Sequence, residues 1–191
     1  MVPFRQRRFA TNVAAMGVAV PATTLNPSDK AAAVTLSNGN LTATSSSLGN
    51  VRSTTSKSSG SWHFEVTINS TASSYPGMGV ANATATLSNY IGVDNNSIGY
   101  YPPTAAGDVY QNNAIIASIG QYTSGTVAIE INATTRQIWF QHTSGSRQGP
   151  YTINATGDLF AFVSLFGGQA TVNFGASAFA ITPTSGFAAW G

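Results

Sequence analysis

From about residue 30 the chain alternates. In WHFEVTI, the apolar Trp62, Phe64, Val66 and Ile68 fall on one face and His63, Glu65 and Thr67 on the other, the period of two that marks a strand. TVAIEIN repeats the pattern with Val127, Ile129 and Ile131 on one side. AAAVTLS, LTATSSS, GMGVAN, NYIGVD, SIGYY, RQIWFQH, LFAFVSL and ATVNFG are further short runs, several rich in glycine. Between them stand NGN, DNN, NNA, NATT, SGSRQG and FGGQ, built of residues that favour turns. About a dozen strands at this spacing, without an amphipathic helix, predict an antiparallel sandwich or barrel.

Residues 1–25 depart from the pattern. They show no clear strand alternation, hold three of the eight basic residues and end where Pro21 and Pro27 bracket a junction. The division is therefore an N-terminal arm, 1–25, and a domain, 26–191. The arm begins like a secretory leader, but Thr11 and Asn12 interrupt its apolar part, and it is read as an anchor carrying Phe4, Arg5, Arg7, Arg8 and Phe9.

Composition narrows the function. Hydrophobic residues make up 42% of the chain, enough for a core, while charged residues make up only 7%. An ordinary soluble domain carries roughly 25%. The surface is solvated instead by Ser, Thr, Asn and Gln, which suits a protein held in an assembly or facing the outside of a cell. Outside the arm, five cations face six carboxylates, so no basic face for nucleic acid is expected. Cysteine is absent, which removes disulfides and thiolate metal sites. No apolar run approaches the ~20 residues of a membrane span, and no membrane insertion is expected.

Six segments in order carry a resemblance: SGSWHFEVTI (59–68), GMGVANATATLSNYIGVDNNSIGYY (77–101), GDVYQNNA (107–114), GTVAIEINATTRQIWFQHTSG (125–145), LFAFVSLFGGQATVNFG (159–175) and PTSGFAAW (183–190). Together they resemble the SPRY domain, the core of the B30.2 module, over about 26–190. Two positions depart from the family pattern: Ala128 stands where a Gly is usual, and Asn112-Asn113-Ala114 replaces the usual Asn-Gly turn. The resemblance implies an all-β fold, a bent sandwich of two antiparallel sheets of the concanavalin-like jelly-roll type. It also implies that Trp62, Phe64 and Glu65 are scaffold. Tyr100, Trp139 and Phe174 join Trp62 and Phe64 as expected core. Glu65, set among apolar neighbours, is expected to meet a backbone N–H or a basic side chain.

No catalytic constellation is visible, and the chain is not expected to be an enzyme. His63 and His142 are its only histidines, and there is no Gly-x-Ser-x-Gly elbow. Asp94 and Asp108 in loops are weak grounds for a glycosidase pair. No metal or cofactor is expected. Binding is the better expectation, because a rigid sandwich with projecting loops is a recognition scaffold. Tyr75, Tyr90, Tyr101, His142, Arg147 and Tyr151 are the loop candidates, tyrosine offering a large contact area with few torsions to freeze.

The leading expectation is a virion structural or adhesion protein: a capsid decoration, head-fibre or tail component, located in the virion. It would dock on other subunits by its arm and present the SPRY-like domain to a host-surface protein or glycan, as a homo-oligomer within the assembly. One alternative is a stand-alone cellular or secreted peptide-binding module, cytoplasmic or extracellular. A third reading is a carbohydrate-binding sandwich.

Overall fold

A computed structural model describes residues 22–70 and 76–191; Tyr75 and the arm residues Phe4, Arg5, Arg7, Arg8 and Phe9 lie outside the described residues. Among the described residues fifteen strands follow in order: β1 (Leu25–Lys30), β2 (Val34–Ser37), β3 (Thr42–Ser45), β4 (Leu48–Lys57), β5 (Ser61–Ser70), β6 (Gly77–Ala81), β7 (Ser97–Tyr101), β8 (Asp108–Gln111), β9 (Ala114–Ser118), β10 (Gly125–Asn132), β11 (Gln137–His142), β12 (Gln148–Thr152), β13 (Leu159–Phe166), β14 (Gln169–Asn173) and β15 (Ala188–Ala189). They form two antiparallel sheets, apart from the short parallel pairing of β15 with β5. The seven-stranded sheet runs β1-β4-β13-β6-β7-β8-β9, and the path of the other runs β12-β11-β10-β5-β14-β3-β2. The fold is the β-sandwich that the alternation predicts.

Register explains the core. β5 and β10 pair without a shift, which sets Val66 beside Val127 and Phe64 beside Ile129 on the inward face. The same register puts His63 opposite Glu130 and Glu65 opposite Ala128 on the outward face. Across the gap, Val51, Val80, Ile98, Tyr100, Val109, Val163 and Leu165 close the core from the seven-stranded sheet. Phe64, Tyr100 and Phe174 are buried as expected, and Trp62 packs at the rim of the core with partial exposure. Trp139 corrects the expectation. It alternates with the buried Ile138 and Phe140, so it points to the outer face and is only half-buried.

The domain begins before residue 26. Leu25 is fully buried at the start of β1, and Thr23 is buried with its hydroxyl 2.8 Å from that of Thr55. The Asn112-Asn113 turn still makes a tight hairpin, because both asparagines take a left-handed backbone, with φ of 53° and 58°.

Each sheet also has an outer covering. Residues 82–96 fold over part of the seven-stranded sheet and build a second small core from Ala81, Ala85, Ile91, Tyr101 and Phe162. Residues 176–187 cross the outer face of the other sheet, and beyond them β15 pairs with β5 and the fully buried Trp190 enters the main core edge-on to Phe64, with ring centroids 5.1 Å apart.

Candidate interaction groove

On the seven-stranded sheet, the outward positions are small where β6 and β7 meet. A Cβ at Gly77 would lie 2.5 Å from Tyr101 Cε1, and one at Gly99 would lie 2.5 Å from Ile91 Cγ2. Bare backbone at these two points lets the Tyr101 ring and the Ile91 side chain lie close to the sheet. The Tyr101 hydroxyl accepts from the Ile91 N–H at 2.9 Å and is 3.2 Å from Ser164 Oγ, which fixes the ring as a floor. Arg52 anchors the covering loop: its Nε donates to Asn82 O at 3.0 Å, an Nη donates to Ala85 O, and it pairs with Asp29 at 2.7 Å. Asn50 adds side-chain donations to Thr86 O and Asn89 O.

The loop leaves one end of the sheet open. There Leu48, Tyr90, Tyr101, Thr104, Tyr110 and Phe166 line a groove of about 390 Å³. Leu48 and Phe166 are brought together by β4–β13 pairing, and Phe166 is 52% exposed. Tyr110 stands edge-on to Tyr101 at 5.6 Å and 89°, and Tyr90 edge-on to Tyr110 at 6.1 Å and 74°. The Tyr90 hydroxyl bonds Asn113 Oδ1, and the Thr104 hydroxyl donates to Tyr101 O at 3.0 Å and accepts from Asp108 N at 2.9 Å. The Tyr110 hydroxyl makes no hydrogen bond among the described residues. Burial raises the Tyr101 and Tyr110 phenols, the latter with help from the Asp108 and Tyr90 charges, so both stay neutral near pH 7. Among the described residues, no charged side chain lines the groove. It offers aromatic faces, edges and one free hydroxyl, a surface for an apolar, aromatic or prolyl group rather than for an ion.

A cluster of ionisable side chains lies on the outer face of the other sheet. His63 Nδ1 is 3.2 Å from Glu130 Oε1, and Arg147 Nε is 2.6 Å from Glu130 Oε2. The Arg147 guanidinium lies 4.1 Å from the Trp139 ring centroid and 5.2 Å from that of Phe187. Glu65 accepts from the Ala180 and Ile181 N–H groups at 3.0 and 2.7 Å, the role its sequence setting predicts. Among the described residues no group of three or more His, Asp or Glu side chains is arranged to hold a metal ion.

The scan of family models matches none to this chain, and the search of curated proteins finds no relative of it. Among solved structures, the SPRY domain of human HERC1 is similar at a TM-score of 0.65 and 16% identity, over 78% of this chain and 96% of that one. The TRIM65 PSpry domain is similar at 0.67 and 15%, over 79% and 91%. The fold is that of a SPRY domain.

Within the SPRY fold the expected site residues separate. Tyr90 and Tyr101 meet in the groove, but Tyr101 ends β7 and is 94% covered, so it is a floor rather than a loop side chain. His142 closes β11, almost buried. Its ring stacks on Tyr122 at 3.7 Å. Its Nε2 donates to Ser124 O at 2.8 Å, since a carbonyl only accepts, and Nδ1 therefore accepts from Ser144 N at 3.2 Å. Arg147 is committed to Glu130, and Tyr151 lies within β12 with its ring tilted against Phe140 at 6.3 Å. These three are not part of the groove. Leu48, Thr104, Tyr110 and Phe166 complete it without having been singled out in the sequence. The signal for Tyr110 was its place in VYQN beside the Asn-Asn turn, and for Phe166 an apolar residue just before Gly167-Gly168.

Proposed function

We propose that this chain is a non-enzymatic binding protein whose SPRY-like sandwich receives an uncharged peptide segment of a protein partner in the Leu48–Tyr90–Tyr101–Tyr110–Phe166 groove. The open, uncharged aromatic lining of that groove carries the reading. Two features favour protein over polysaccharide. Among the described residues the groove has no carboxylates or free amides in its lining, and most of its hydroxyls are already bonded within the fold.

The wider setting we propose is a virion, with residues 1–25 anchoring the chain to neighbouring subunits and the sandwich facing a host-surface protein. The low charge and the Ser-, Thr- and Asn-rich surface support that setting. Two experiments test it. Peptides selected from a random display library on the full chain should bind wild type and lose most affinity to Phe166→Ser; equal affinity for both would overturn the groove reading. Mass spectrometry of purified particles from the source should find the chain, and its absence would remove the virion setting while leaving the groove untouched.

A further inference from the structure

His63 sits near the start of β5 with no exposed surface. Both of its ring nitrogens face carboxylates. Nδ1 is 3.2 Å from Glu130 Oε1; Nε2 is 3.9 Å from Glu65 Oε1 and has no hydrogen-bond partner of its own. A neutral imidazole carries one N–H and one lone pair. Whichever nitrogen kept the proton, the other would aim its lone pair at a buried carboxylate. Only the imidazolium presents a donor to both, and a buried charge survives only with such partners.

Arg147 supplies the second cation, so two carboxylates and two cations balance beneath the strap. Among the described residues Phe179, an apolar neighbour, meets the His63 ring edge-on at 4.4 Å. From β15, Ala189 pairs with it through the backbone alone. The next cation, Lys57, lies over Trp62 and Trp190 instead.

The same carboxylates hold the strap. Glu65 accepts from Ala180 and Ile181, and Glu130 Oε1, the atom nearest His63, accepts from Thr184 N at 2.7 Å. We infer that residues 176–187 are a proton-sensitive latch, locked on the sheet while His63 is an imidazolium and loosened when His63 loses its proton. Deprotonation leaves one uncompensated negative charge in the cluster and turns a lone pair on a carboxylate that the strap needs. Opening would uncover Trp139 and the carboxylates of the central strands. The direction of titration agrees. Burial works against the charged ring, yet the bonds and charges of Glu130 and Glu65 outweigh it and raise His63 above 6.5.

Hydrogen exchange of the Ala180, Ile181 and Thr184 amides in the full chain tests the latch. Rates are corrected for intrinsic exchange and compared with Val66 and Ile129 in the core. Between pH 6 and pH 9 the strap amides should lose protection by up to about tenfold per pH unit, the limit for one proton, while the core amides hold. Strap protection that is flat with pH, or that falls only in step with the core, overturns the latch. Glu65→Gln sharpens the reading. With its NH2 in the place of Oε1 it can donate to a neutral His63 while its carbonyl, in the place of Oε2, still accepts from Ala180, so the Ala180 and Thr184 amides should stay protected at high pH. A Glu65→Gln chain that folds and shows the wild-type loss contradicts the proposal, and the wild-type profile decides if the variant does not fold.

Discussion

Where the outer face of the seven-stranded sheet is open, it is uncharged and aromatic; the outer face of the other sheet holds His63, Glu65, Glu130 and Arg147 under a strap. Charge and histidine usually draw attention as signs of chemistry. Here they are spent on joining residues 176–187 to the sandwich, each carboxylate taking backbone N–H groups that would otherwise be buried without a partner. The groove differs in kind. Its polar atoms are few and mostly bonded, and its exposed Phe166 has nothing over it among the described residues. Covering costs apolar surface and gains stability; leaving Phe166 exposed gains no stability, and a partner is what such a patch fits.

The comparison can be broken at either face. Trp190→Ala should have the largest effect on folding. It removes a fully buried ring that packs in the main core against Phe64, just past the strap, and such truncations cost roughly 3–5 kcal/mol. Urea denaturation should show that loss, and a cost near zero would mean the segment from β15 to Trp190 is not part of the cooperative unit. Gly77→Ala should come next. Its Cβ would meet the Tyr101 ring at 2.5 Å, and crowding of this kind costs roughly 1–3 kcal/mol. The same variant should deform the groove floor, so peptide affinity and stability should fall together.

A pH series reads the covered face alone. His63 is raised above 6.5, so its stabilisation is complete below that value and is lost as pH rises through the folded value. Glu65 and Glu130 are buried, which by itself raises a carboxyl, yet their bonds to His63 and to strap N–H groups lower both, Glu130 to about 2. Their stabilisation is present above 4.5 and is lost as pH falls toward the folded values. The melting temperature should therefore peak on the acid side of neutrality and decline in both directions. A melting temperature still rising from pH 7 to pH 9 would contradict the assignment. The smallest effect on stability belongs to the open face: Phe166→Ser should change it by no more than about 0.5 kcal/mol, as at other exposed positions, while removing most peptide binding.

Much of the sandwich could be read from alternation, because a strand with one face in the core repeats every second residue. WHFEVTI and TVAIEIN pair in register as their apolar positions suggest. RQIWFQH was harder. Three adjacent apolar residues leave the face ambiguous, and Trp139 turned outward because Ile138 and Phe140 take the core. Tyr100 and Tyr101 show the same limit: neighbours in a strand face opposite ways, one to the core and one to the groove, while the Pro-Pro that follows made Tyr101 read as a loop residue. The groove itself depends on long-range register. Leu48 meets Phe166 only because β4 lies beside β13. In the same way, nothing near Glu65 in the chain announces that its partners are Ala180 and Ile181.

The central claim is that binding belongs to the open groove, while the His63–Glu65–Glu130–Arg147 cluster serves to hold the strap. Backbone NMR shift mapping of the full chain tests it most directly, with the most enriched peptide from a random library titrated in. The expected result is that the amides of Leu48, Thr104, Tyr110 and Phe166 move while those of residues 176–187 and 142–151 stay in place. Shifts centred on the strap or on the His142–Tyr151 segment, with the groove silent, would contradict the account.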